Sequence, residues 1–282
     1  MSAALPAQAG LLRRALRRTS AKLGLALVLL LLLIAATAPL IGPYDPYDQD
    51  LSAALTPPSP AHLLGADQYG RDVLSRVLAG TRYALFAILV ADGLALAAGG
   101  ALGLLAGFAG GAVDATAMRL VDVLLAFPYL LLALIIVAAL GPSLINSLIA
   151  IGIVYAPQYA RLMRGQVLAV RALDFVQAAR ATGATPWRVA LRHVAPNCAG
   201  PVLVLATLQA GSVVVETAGL SFLGLGAQPP APDWGALLAD GQGYFLSAWW
   251  IATFPGAAIL LVVLGFNLLG DALRDQADPR QR

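Results

Sequence analysis

Leu27-Val28-Leu29-Leu30-Leu31-Leu32-Leu33-Ile34 is an unbroken apolar run inside a longer segment, Leu23 to Tyr44, that lies between Lys22 and Asp45 without a charge. Only a helix facing a bilayer needs such a run, since one hydrocarbon crossing takes about 20 residues of helix. Its start also resembles a secretory signal. Arg13, Arg14, Arg17 and Arg18 precede the apolar run, and Ala36-Thr37-Ala38 mimics a cleavage site. The apolar character nevertheless continues through Leu40 and Ile41, and Pro39 directly after the small residues hinders a peptidase. Residues 23–44 therefore read as an uncleaved first span.

The composition agrees. Of 282 residues, 59% are apolar and only 12% charged, and the mean hydropathy is +0.78. Soluble domains carry roughly a quarter charged residues. This is the profile of an integral membrane protein with several spans and little room for a separate soluble domain. The net charge of +3 does not point to nucleic acid, because the basic residues sit beside apolar spans, where topology signals are placed. Cys198, the single cysteine, has no companion for a disulfide or a thiolate metal site and reads as a small apolar side chain in a helix. His62 and His193 fall in separate compartments and cannot share a site.

Charge-free stretches give the remaining spans. The second runs from about Tyr83 to Phe108, interrupted by Asp92. The interval between Asp122 and Arg161 carries no charge and is too long for one crossing, so it holds spans three and four, joined at Gly141-Pro142-Ser143. The fifth follows Pro196, from about Cys198 to Leu220, and the sixth runs from about Ser247 to Gly270. Positive residues resist translocation. With the N-terminus inside, only Arg71, Arg76 and Arg82 among the basic residues lie outside. The expected fold is thus an all-α membrane protein with six transmembrane helices, both termini cytoplasmic, and a helix-turn-helix cytoplasmic loop. Residues 1–22 form a cytoplasmic N-terminal segment, 23–44 the first helix and 45–82 an external segment. Residues 83–273 form a core of five helices that includes a cytoplasmic loop over 165–196 and an external loop over 221–246, and 274–282 are a cytoplasmic tail.

In the external segment, Pro43, Pro46, Pro57, Pro58 and Pro60 stiffen the chain. The stretch from Gly70 to Leu78 places Val73, Leu74, Val77 and Leu78 on one helical face, with Asp72 and Arg76 paired four apart. It reads as an amphipathic helix lying in the membrane surface. Trp234, Trp249 and Trp250 fit the outer interface, and Gly99, Gly100, Gly103 and Gly107 permit close helix packing.

The cytoplasmic loop has chemistry of its own. Asp174 can cap a helix, with Gln177 at capping-box spacing; Ala178 and Ala179 favour helix with almost no bulk, and Gly183 suits the left-handed position that ends it. Thr185-Pro186 reads as a second N-cap with proline in the first helical position, and that helix is expected to end by Pro196. A smooth alanine face is what a partner's groove accepts closely, although a solvated connector with two ordinary caps has the same pattern.

The loop resembles the cytoplasmic motif of ATP-binding-cassette importer permeases, in which Glu-Ala-Ala is followed after three residues by Gly and after nine more by Ile, any residue, Leu and Pro. Gln177, Ala178, Ala179, Gly183 and Pro196 stand at the matching positions, while Gln177 replaces Glu, His193 replaces Ile and Ala195 replaces Leu. Residues 62–76, Asp122 through Phe127-Pro128, Glu216 through Ser221-Phe222-Leu223-Gly224-Leu225-Gly226, and Asn267-Leu268-Leu269-Gly270-Asp271 resemble the dipeptide, oligopeptide and nickel class of those permeases. Nearly the whole chain from about residue 20 is covered.

The resemblance implies a non-enzymatic subunit of the inner, cytoplasmic membrane that moves small peptides inward by alternating access. Its implied partners are a second homologous permease, two ATPases and an external solute-binding protein. Asp174, Phe175, Gln177, Ala178, Ala179, Arg180, Thr182, Gly183 and Ala184 would meet the ATPase. The chain has no Gly-x-x-x-x-Gly-Lys-Ser/Thr loop, so ATP and Mg would be bound by the partners, with no cofactor or metal here. Charges inside spans are expensive, which makes Glu216, with Ser221 and Phe222, a candidate for the translocation path or the permease interface; a carboxyl hydrogen-bonded between helices is the competing reading. Asp92 and Asp122 lean structural. Nickel or another small solute is an alternative cargo, and an ion-coupled secondary transporter, which would use Glu216 and Asp92, an alternative mechanism.

Overall fold

The computed structural model describes residues 19–277, with side chains to 275. The expectations for residues 1–18 and for the end of the tail lie outside the described residues. Among the described residues all regular structure is helical, apart from one isolated bridge between Ala66 and Asp72.

Helix α1 spans Thr19–Ile41. Helix α2, Val73–Ala87, passes through a π-helical turn at Ile88–Asp92 into α3, Gly93–Ala109, making one rod of 37 residues. Helices α4, Gly111–Ala126, and α5, Tyr129–Leu140, meet at 95°. The bend follows from Pro128, which drives Phe127 into extended backbone (φ −85°, ψ 141°). Helix α6 is Leu144–Val170 and α7 is Asp174–Ala181. Helix α8, Pro186–Val189, runs through a second π turn at Ala190–Val194 into α9, Ala195–Phe222, again 37 residues in all. Helices α10, Trp234–Gln242, and α11, Trp250–Ala277, complete the chain.

Four stretches are long and apolar enough to cross a membrane: Thr19–Ile41, Val73–Ala109, Pro186–Phe222 and Trp250–Asp275. The bent pair α4–α5 makes a fifth. The expected boundary at Gly141-Pro142-Ser143 holds, with Gly141 at φ +90° and Ser143 capping α6. Helix α5 is only about 18 Å long, however, and cannot cross alone. The 27-residue α6 is long enough, but Asn146, Gln158 and Arg161 dilute its apolar character.

The stretch from Gly70 to Leu78 is not a separate interfacial helix. It is the start of the α2–α3 rod, and its polar face points inward: Ser75 and Arg76 are buried, as are Arg71 and Asp72 just before the helix. Asp72 does not pair with Arg76. It caps α2, accepting from the Ser75 N–H and Oγ at 2.8 Å each, and holds His62 Nδ1 at 2.9 Å. Arg76 instead donates to Pro46 O and faces Asp67, which binds Arg71 Nε at 2.6 Å; Arg71 in turn reaches Asp240 on α10 at 3.1 Å. These charges fold the 45–72 segment into a cap over the bundle end. Trp234 and Trp250 are buried beneath it rather than at the outer interface, donating to Val77 O and Ala66 O; Trp249 is half exposed.

Helices α3 and α6 pack backbone to backbone, as the glycines anticipate. A Cβ on Gly99 would stand 2.1 Å from Ala156 O, and one on Gly103 2.3 Å from Ala160 O. Gly165 faces open space. Gly103→Leu should therefore lower the stability of the purified protein by about 3 kcal/mol through overpacking, whereas Gly165→Ala should leave its thermal melting in detergent unchanged or slightly raised.

Candidate functional site

The loop between α6 and α9 is the most exposed ordered feature with a motif. Helix α7 is fastened chiefly by Val176, which is fully buried in a cluster with Val167, Val170, Val189, Val194 and Cys198. Asp174, Phe175, Gln177, Ala178, Arg180, Thr182 and Gly183 are exposed, while Ala179 and Ala184 turn partly inward onto that cluster. The alanine pair is therefore split. Ala178 faces outward and Ala179 helps to seat the helix.

The C-terminal end of α7 closes as its sequence requires. Gly183 lies at φ +85°, and its N–H bonds Arg180 O at 3.0 Å while the Ala184 N–H bonds Ala179 O at 3.1 Å. That is a Schellman closure, with Ala179 and Ala184 in the accompanying apolar contact. The N-terminal end departs from expectation. Asp174 is the first helical residue, the N-cap position is Leu173, and no side chain caps it. Gln177 Nε2 reaches back to Arg171 O at 3.1 Å instead of completing a capping box.

The second element begins as expected, with Thr185 Oγ1 accepting from the Arg188 N–H and Pro186 in the first turn. It does not end at Pro196. In the π turn the Ala195 N–H bonds Ala190 O, so the ladder is already displaced where the proline, which has no N–H to give, enters. The loop is therefore welded to α9. It is also tied to α3: Arg171 Nη1 donates to Gly107 O at 2.7 Å, and the Arg180 guanidinium lies 5.5 Å from the Phe108 ring centroid. Val176, Arg171 and the exposed Trp187 and Leu191 are functional candidates that sequence motif-reading misses. The alternation of one buried valine among polar neighbours is the signal that marks Val176.

Deeper in the bundle, three polar pairs cross α6. Tyr155 donates to Glu216 Oε1 at 2.6 Å, Gln209 Nε2 donates to Gln158 Oε1 at 2.7 Å, and Tyr159 donates to Asp92 Oδ1 at 2.5 Å. Glu216 is buried, and its Oε2 has no partner; nor does Thr217 Oγ1 beside it. Ser221 is buried, accepts from the Ala227 N–H at 3.2 Å, and so holds the turn after α9, where Gly224 (φ +77°) repeats the Schellman closure. Phe222 is partly exposed. Glu216 and Ser221 thus stand close along α9 but engage different neighbours, and both lie far along the rod from the 174–184 group. Asp122 bonds Arg161 at 2.6 Å in an exposed pair. Cys198 is buried and free. Among the described residues no group of three or more His, Cys, Asp or Glu could hold a metal ion.

Residues 99–282 match the family described as the inner membrane component of binding-protein-dependent transport systems, and residues 9–58 match the N-terminal transmembrane domain of oligopeptide transport permease C. The chain belongs to this permease family. Among its relatives, a probable D,D-dipeptide transport system permease of Escherichia coli is 46% identical over 90% of this chain and 85% of its own length. A di/tripeptide transport system permease of Pseudomonas aeruginosa is 47% identical over 91% and 87%. A glutathione transport system permease of Pectobacterium atrosepticum is 43% identical over 95% and 89%. In this permease the loop's chief apolar anchor makes a clear prediction. Val176→Ala should cost local stability of about 2 kcal/mol, so that hydrogen exchange over 174–189 rises about thirtyfold while α6 and α9 exchange as before.

Proposed function

We propose that this permease is the membrane subunit of an ATP-driven importer that moves small peptides from an external binding protein into the cytoplasm by alternating access. The observation that carries this is α7: a short helix seated chiefly by one valine, closed at Gly183, presenting a small exposed face and joined without a break to the 37-residue rod of α8 and α9. A rod of that size is about 55 Å long, enough to carry displacement of the loop across a bilayer to Glu216. The ties from Arg171 and Arg180 to the end of α3 make the second rod move with it. A lever of this kind needs a partner that binds its two positions with different free energy.

In this reading two ATPases, which bind ATP and Mg, grip Asp174, Phe175, Gln177, Ala178, Arg180, Thr182 and Gly183, with Ala179 and Ala184 positioning them. A second homologous permease completes the pathway, and no cofactor belongs to this chain. Counting α4–α5 as one bent crossing and α6 as another gives six crossings, so that both termini and the 174–184 loop share one side, read here as the cytoplasm, and the 45–72 cap lies on the other. The arginine distribution supports that orientation. The names of the relatives, all peptide transport systems, favour peptides over nickel or another small solute.

Glu216, with Phe222 on the partly exposed face of α9 and Ser221 shaping its end, contributes to the pathway or to the permease interface. Glu216→Gln should then lower uptake while leaving melting unchanged; unaltered uptake would return the carboxyl to a purely structural role. Ala178→Trp should leave insertion and melting intact and weaken ATPase association at least about tenfold, or 1.4 kcal/mol, because the added ring cannot enter a fitted cleft. Normal copurification of the ATPase would count against docking there. For the whole reading, peptide uptake by vesicles should require enclosed ATP, co-expressed ATPases and binding protein. Uptake driven by an ion gradient alone would refute it.

A further inference from the structure

An apolar groove of about 170 Å³ lies between α1, α2 and α11, walled by Leu30, Ile34, Leu78, Ala258 and Leu261, with Trp234 on its inner side. It opens away from the bundle: Leu30 and Leu261 are each half exposed, whereas Trp234 is buried. Apolar cavities of about 150 Å³ stay dry and accept hydrocarbon, and the medium meeting these helices is the bilayer.

A cation lies beside the groove. Ile34 and Thr81 line it, and the residues that follow each of them meet: Arg82 Nε donates to Ala35 O at 2.7 Å. That carbonyl is open because Pro39, four residues on within α1, has no N–H to give it. The bond holds the exposed guanidinium beside the groove, with its terminal nitrogens uncommitted, and among the described residues no carboxylate pairs with it. An arginine beside apolar spans is costly without a counter-charge. The hydroxyls of Tyr83, next to it, and Tyr47 lie 3.5 Å apart, and tyrosine is enriched at the level of lipid headgroups.

We propose that this groove binds one acyl chain of an acidic phospholipid, with Arg82 holding the phosphate. The lipid then fastens α1 to the core by filling the seam and neutralising the charge.

Native mass spectrometry of the purified transporter complex, stripped of lipid and titrated with phosphatidylglycerol or phosphatidylethanolamine, tests this. The unaltered complex should hold phosphatidylglycerol about fivefold more tightly, the worth of one arginine at an acidic membrane surface. Arg82→Gln keeps a donor for Ala35 O but loses the charge, so it should abolish the preference without changing melting. Ala258→Phe fills the groove and should reduce binding of both lipids; if that variant fails to fold, the Arg82→Gln comparison still decides. Equal retention of the two lipids, a preference that survives Arg82→Gln, or full binding to a folded Ala258→Phe variant overturns the proposal. So does a photoreactive residue at position 30 that links to the second permease and not to lipid, which would make the groove a protein interface.

Discussion

In hydrocarbon no water is at hand to satisfy a backbone amide or carbonyl, and each one left open costs several kcal/mol. This chain nevertheless places prolines inside its long helices, at Pro39, Pro157, Pro201 and Pro255, and another at the start of α9. Two of the answers are explicit. Ala35 O takes its donor from Arg82 on the neighbouring rod. Ahead of Pro196, the helix widens into a π turn in which the Ala195 N–H bonds Ala190 O, so the ladder is already displaced where the missing N–H falls. The continuity of α1 past Pro39 and of the α8–α9 rod past Pro196 goes with these local adjustments.

The same constraint explains the inside of the bundle. Helices in lipid gain little by hiding leucine from leucine, so contact is won by letting backbones approach, which Gly99 and Gly103 permit against α6. Several buried polar side chains pair across α6, where two tyrosines one turn apart reach carboxylates on different rods. A carboxylate oxygen without a partner, as on Glu216, is an exception to this pattern, which is why that position stands out as a candidate.

Much of this was legible in the chain. The apolar run at Leu27–Ile34, the break at Gly141, the left-handed Gly183 and the glycines of α3 each follow from a local property, such as charge, φ or the lack of a Cβ, and the structure meets them. What was hidden depends on distant partners. Ser75 and Arg76 look like the wet side of a surface helix until Asp67, Pro46 and Asp72 fold over them. Trp234 and Trp250 look interfacial until Val77 O and Ala66 O are seen to receive their N–H groups. Pro196 looks like a stop until the π turn before it is known. In the loop, Ala178 and Ala179 are chemically alike, and only the position of Val176 decides which one faces outward.

The cap formed by residues 45–72 ends in a different physical regime from the rest of the aqueous surface. Surface ion pairs are screened by dissolved salt over about 10 Å, while buried ones are screened far less. Asp67, Arg71 and Arg76 are each at most 2% exposed, so dissolved ions have almost no access to these three charges at the centre of the cap. Raising the salt concentration would loosen the exposed Asp122–Arg161 pair well before it weakened this buried cluster.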